Sequence, residues 1–124
     1  MILVDSSGWL EFFMDGPLAS TYAQHLRDPQ VIVTPTIVLY EVYKVIRRQR
    51  SEEQALAAAA LMSKTRLVPL TDGIALTAAD VSLAHQLAMA DAIVYATAVT
   101  ERAKLVTSDA DLSALPDVTY LKKP

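Results

Sequence analysis

Cysteine is absent from the chain, which excludes disulfides, zinc–thiolate sites and thiol catalysis and suits a reducing, cytoplasmic setting. Histidine is nearly absent too: His25 and His85 are the only two, both in helix-patterned stretches that read as surface. With no histidine beyond His85 and no Gly-x-Ser-x-Gly, the sequence speaks against a Ser–His–Asp hydrolase. Long apolar runs are missing. The stretch Leu56–Met62 falls far short of the ~20 residues that span a bilayer. Ile2-Leu3-Val4 lacks the basic flank and sustained core of a secretion signal, so no membrane or export role is expected. Aromatics are few, and Trp9, Phe12 and Phe13 are spaced like one helix face, which marks them as packing residues rather than a base-stacking platform. An excess of basic residues is also missing. The net charge of −3 argues on its face against a phosphate-rich partner. A divalent cation held by clustered carboxylates would invert that sign locally, so the charge total decides nothing.

What remains is a chain of one-domain size, residues 1–124, able to bury a core without a covalent staple. Short strand-like runs alternate with longer helical ones. Ile2–Val4 reads as a buried strand, with Ser6 or Ser7 capping a helix through Phe13. Gly16-Pro17 breaks that helix, and another runs from about Leu18 to Arg27. Val31–Val33 reads as a second strand, then Thr34 as an N-cap with Pro35 at the first helical position, opening a helix to about Arg50. A further helix runs from Ser51 to Met62. A short strand follows at Leu67–Leu70, whose proline points to an end or an edge. Helices over Ile74–Ala88 and Asp91–Arg102 precede strands at Lys104–Thr107 and Val118–Tyr120. The alternation predicts an α/β fold, a three-layer α/β/α arrangement with a mostly parallel sheet of about five strands. Such sheets place ligands outside the carboxyl ends of their strands.

Acidic residues fall at those ends. Asp5 follows the first strand and Asp109 follows the strand ending at Thr107, although each also suits a helix cap. Asp91 opens a helix, where the macrodipole favours it. Glu41 is the strongest single clue. It lies nearly two turns into its helix, on a face shared with Ile37, Val38 and Val45, where an unpaired carboxylate is costly. Lys44 or Arg48 could pair with it, or it could sit at the edge of the stripe. If the four carboxylates converge, each like-charge pair at about 4 Å costs on the order of 4 kcal/mol at an effective dielectric of 20. Such a site must take up protons or bind cations. All-oxygen donors favour Mg²⁺ or Mn²⁺ over zinc, and such an ion beside a phosphodiester makes a hydrolysis site.

With these residues in view, the chain resembles the VapC-type PIN-domain toxins from end to end. Ile2-Leu3-Val4-Asp5-Ser6-Ser7 resembles that family's first strand, its metal-binding Asp and the hydroxyl residues behind it. Thr34 to Glu41 resembles the helix that carries the family's Glu. Leu87-Ala88-Met89-Ala90-Asp91-Ala92, opening an Ala-rich helix, is the most telling stretch. Leu105-Val106-Thr107-Ser108-Asp109-Ala110-Asp111-Leu112 resembles the closing Thr-x-Asp-x-Asp segment, with Leu112 where an aromatic is usual. The resemblance implies a Mg²⁺- or Mn²⁺-dependent endoribonuclease leaving 5′-phosphate and 3′-hydroxyl ends. It further implies a homodimer held inactive by a cognate VapB-like antitoxin. Asp5, Glu41, Asp91 and Asp109 are then the catalytic and metal-binding set, with Asp111 as the alternative fourth ligand.

Secondary candidates are Ser6, Ser7, Thr107 and Ser108, which either support a water at Asp5 or merely cap and turn the chain. Lys44, Arg47 and Arg48 continue the helix of Glu41 and are candidates for holding RNA phosphates, or else a solvated helix end whose cations suit the dipole. Two other classes compete: a receiver-like phospho-acceptor domain and a non-catalytic PIN-like binding module. The first strand ends in one Asp followed by serines rather than an acidic pair, and Lys104 precedes its strand. Both features count against the receiver.

Overall fold

The computed structural model describes all residues from Met1 to Pro124. Five strands form its sheet: β1 (Ile2–Val4), β2 (Ile32–Pro35), β3 (Arg66–Val68), β4 (Lys104–Thr107) and β5 (Val118–Tyr120). Their order is β3-β2-β1-β4-β5, and every pairing is parallel. The expected mostly parallel sheet is thus wholly parallel. Leu3, Val4, Ile32, Val33, Leu105 and Val106 are almost fully buried, as strands covered on both faces must be.

Six helices connect the strands: α1 (Ser6–Phe13), α2 (Ala19–His25), α3 (Thr36–Gln49), α4 (Glu52–Met62), α5 (Asp72–His85) and α6 (Met89–Glu101). From β1 the chain steps outward through β2 to β3, then returns across the sheet to β4 and on to β5. Right-handed crossovers therefore put α1 to α4 on one face and α5 with α6 on the other. Contacts of α1 with α2 and α3, of α3 with α4, and of α5 with α6 follow that division. The direction of winding reverses between β1 and β4. At that point the crossing loops diverge and leave a crevice over the carboxyl ends.

The expected start of α3 is one residue early. Thr34 and Pro35 belong to β2, where Thr34 registers with Leu67 and Pro35 with Val68. The Thr34 hydroxyl is also committed to a 2.6 Å hydrogen bond with Thr65, so it cannot cap the helix, and α3 starts at Thr36 without a side-chain cap. At α1 the cap is Asp5, whose carboxylate accepts from the Gly8 amide, while Ser6 is already helical. The strand expected over Leu67–Leu70 ends before Pro69 and lies at the sheet edge, as the proline indicated. Trp9 is buried and stacks on Phe13 at 5.6 Å, so this aromatic stripe is core.

Candidate active site

Two corners of the chain meet in the crevice. Asp5 ends β1 and is only 4 % exposed. A buried carboxylate demands partners, and hydroxyls supply them: Ser7 Oγ donates to Oδ1 and Thr107 Oγ1 to Oδ2, both at 2.7 Å. Thr107 in turn accepts from the Asp109 amide at 2.9 Å, and Ser7 accepts from the Ser108 amide at 3.0 Å. The corner after β1 and the corner after β4, about a hundred residues apart in sequence, are thus tied at side chains that hold Asp5 in one orientation. Burial still raises the Asp5 pKa above its usual value; the three donors oppose that rise, and the charge of Asp109 adds to it.

Asp109 caps the 3₁₀ turn Ala110–Leu112 by accepting from the Asp111 amide at 2.9 Å. Asp111 lies within that turn and is exposed. Across from it, Asp91 stands in the first turn of α6. Carboxylate oxygens of Asp91, Asp109 and Asp111 lie within 4.8 Å of one another. Like charges at such separations repel one another, most where solvent screens them least. The Asp91 pKa responds strongly: burial first, then the charges of Asp109, Asp111 and Asp5, push it up to about 6.

Glu41 enters from α3. The helix buries Val38, Val42 and Ile46, and Glu41 sits half-buried at the edge of that stripe, one of the two placements its spacing allowed. Its pKa is raised, mainly by burial and further by the charges of Asp5 and Asp109, while Ser6 and Lys44 oppose the rise. Ser6, at the start of α1, thus faces Glu41 rather than Asp5.

The acidic group has no salt-bridge partner. Ion pairs join Arg47 to Glu52, Arg66 to Glu101 and Lys123 to Glu11, all elsewhere. All-oxygen donors with raised pKa at Asp5, Glu41 and Asp91, and no ion pair to any of the group, fit a hard divalent cation. Asp91, Asp109 and Asp111 are the closest trio. Asp109 and Asp111, posed as alternatives from the sequence, stand side by side.

The basic candidates lie along α3. Lys44, Arg47 and Arg48 are exposed and, with Leu39, Tyr40 and Tyr43, line a groove of about 720 Å³ between α3 and α4. Arg47 is committed to Glu52 at 2.6 Å, and Lys44 lies over the Tyr40 ring at 5.5 Å. Sequence reasoning overlooked two buried polar residues nearby. Glu11, 8 % exposed, accepts from the Leu18 amide at 3.0 Å and so pins the α1–α2 turn. Tyr22, fully buried in α2, reaches Ser108 with its phenol oxygen, 2.7 Å away. The only mark either left was a glycine: a Cβ at position 16 would run into the Glu11 carboxylate, and one at position 8 into the Tyr22 ring.

A wholly parallel sheet in this order, with carboxylates from β1, α3, α6 and the β4 corner gathered at its switch point, defines an acidic α/β site of the nuclease type. The PIN domain family model matches residues 2–118, nearly the whole chain, and the protein belongs to that family. No curated protein sequence matches it. Solved structures share its fold. A toxin–antitoxin complex from Klebsiella pneumoniae is 22 % identical with a TM-score of 0.82, covering 96 % of each chain. The sarcin–ricin-loop-cleaving toxin VapC20 of Mycobacterium tuberculosis is 22 % identical with a TM-score of 0.78, covering both chains fully. VapBC2 from Rickettsia felis, bound to a DNA fragment of its promoter, is 14 % identical with a TM-score of 0.76, also over both full chains. No helix of this protein is long and apolar enough to cross a membrane.

Proposed function

We propose that residues 1–124 act as one unit, a divalent-metal-dependent endoribonuclease that serves as the toxin of a toxin–antitoxin module in the cytoplasm. The observation that carries this reading is the convergence of Asp5, Glu41, Asp91, Asp109 and Asp111 with no basic side chain bonded to any of them. Asp91, Asp109 and Asp111 hold Mg²⁺ or Mn²⁺, with Asp5 and Glu41 completing the set. Held there, such an ion would supply a water of lowered pKa and charge to stabilise the departing oxygen of a phosphodiester.

The chain's own groups do the rest. Ser7 and Thr107 fix both oxygens of Asp5, so its negative charge stays aimed into the crevice without reorganisation. Glu41, half-buried on α3, faces the charges of Asp5 and Asp109 and closes the acidic set from the helix side. Lys44 and Arg48 hold flanking RNA phosphates. The antitoxin is a VapB-like protein, by extension from the complexes that share the fold. The toxin is a homodimer, a reading supported by Leu76, Leu83 and Met89, each at least 70 % exposed on the α5–α6 side.

RNA cleavage by antitoxin-free protein with Mg²⁺ or Mn²⁺, and with EDTA, is the direct test. Metal-dependent cuts with 5′-phosphate ends are expected, lost by at least about two orders of magnitude in Asp5→Asn and Asp91→Asn, the scale of removing pre-organised charge from a reacting centre. Cleavage that survives EDTA or both substitutions would sink the proposal.

A further inference from the structure

Tyr22 stands outside every role assigned so far. It comes from α2, an element that contributes none of the acidic residues. Its ring fills the space over Gly8, where a Cβ would lie 2.8 Å from Tyr22 Cδ1 and 2.6 Å from Val4 Cγ1. Packing alone would be served by phenylalanine. The hydroxyl, in a residue with no exposed surface, needs a partner and shares a 2.7 Å hydrogen bond with Ser108 Oγ. Ser108 lies between Thr107, which donates to Asp5, and Asp109. Its amide donates to Ser7 Oγ at 3.0 Å, and Ser7 donates to Asp5 Oδ1 at 2.7 Å.

We infer that Tyr22 is a positioning residue of the acidic site, its phenol fixing Ser108 and thereby the corner that carries Asp109 and the hydroxyl network around Asp5. This rests on the reading of that site as a metal-dependent nuclease centre. Tyr22 touches none of the carboxylates through a hydrogen bond of its own. It acts through Ser108, as outer groups orient metal ligands elsewhere. Because α2 packs on α1, the hydroxyl also makes the placement of Asp109 depend on an element remote from it in sequence.

The test compares wild type, Tyr22→Phe, Ser108→Ala and the double variant by Mn²⁺ titration calorimetry, amide exchange, melting and RNA cleavage. Tyr22→Phe keeps the ring and is expected to fold with a melting temperature close to wild type. Its Mn²⁺ affinity should drop about ten-fold, the low end for an outer orienting group. Its Ser108 and Asp109 amides should exchange about ten-fold faster while the α2 amides stay as they were, the signature of a local opening. Ser108→Ala should match it, and the double variant should be no worse than either single, because both changes break one link. Unchanged exchange at Ser108 and Asp109, or losses that multiply in the double variant, would overturn the inference. Wild-type protein that binds Mn²⁺ but cuts no RNA ends the nuclease reading instead. Affinity and exchange then still decide the role of Tyr22, and exchange alone decides it if Mn²⁺ does not bind.

Discussion

Asp91 shows how a single carboxylate couples chemistry to stability. Its folded pKa, pushed up from 3.8 to about 6, means the native state holds this proton more tightly than the unfolded chain does. The sign follows directly: the contribution is fully present below pH 3.8 and is lost as the pH rises through about 6. Metal-free protein should therefore melt progressively lower across that window. Asp91→Asn removes one source of the slope, and at neutral pH without metal the variant should melt a few degrees above wild type. Asp5 and Glu41 are shifted in the same direction, so the slope should shrink rather than vanish. A melting series from pH 4 to 8 on both proteins checks this, and an Asp91→Asn variant that melts lower throughout would contradict it.

At the scale of elements, α1 is set by what it lacks. Gly8 stands inside a helix, where alanine is ordinarily better by about 1 kcal/mol. Here a Cβ would press on Val4 and on the Tyr22 ring. Overpacking of that kind costs roughly 1–3 kcal/mol, so Gly8→Ala should lower the urea midpoint despite its helix propensity. Along α3, Arg48 has no carboxylate partner, whereas Arg47 is paired with Glu52. Arg48→Ala should weaken RNA binding and reduce the salt slope of log affinity by about one; an unchanged slope would remove Arg48 from the interface. Much of this level was legible in the sequence, because hydrophobic period and turn residues are local signals. Each strand and helix lies close to where Ile2–Val4, Leu105–Thr107 and the Ala-rich runs placed it. The start of α3 was not legible, since Thr34 and Pro35 satisfy a capping rule and are overruled by register with Leu67 and Val68 and by the bond to Thr65. Asp5 and Asp109 were legible because strand ends advertise themselves, and Glu41 because a carboxylate stands out against an apolar helix stripe. Tyr22 was hidden, because its partner is 86 positions away and a tyrosine in a short helix carries no local mark.

For the whole molecule, a cation held in the unbalanced acidic crevice would make binding and folding one equilibrium. An ion that binds only the native state adds about 2.7 kcal/mol at a hundred times its dissociation constant. Mn²⁺ or Mg²⁺ should accordingly raise the melting temperature, EDTA should reverse the gain, and the gain should be smaller at pH 5, where Asp91 holds its proton. A melting temperature indifferent to either metal at neutral pH would contradict the cation site.

The middle of the sheet joins the first strand to the fourth, Ile2 to Val4 lying against Lys104 to Val106. During synthesis β1 emerges first, yet one of its two neighbours is made about a hundred residues later, and non-local pairings of this kind close late. Until β4 arrives, Asp5 has no Thr107 to hold it and no Asp109 beside it. A chain that has not yet made β4 consequently lacks both the hydroxyl that holds Asp5 and the carboxylate that faces Asp91. The order of the strands thus makes the acidic corner one of the last parts of the fold to be assembled.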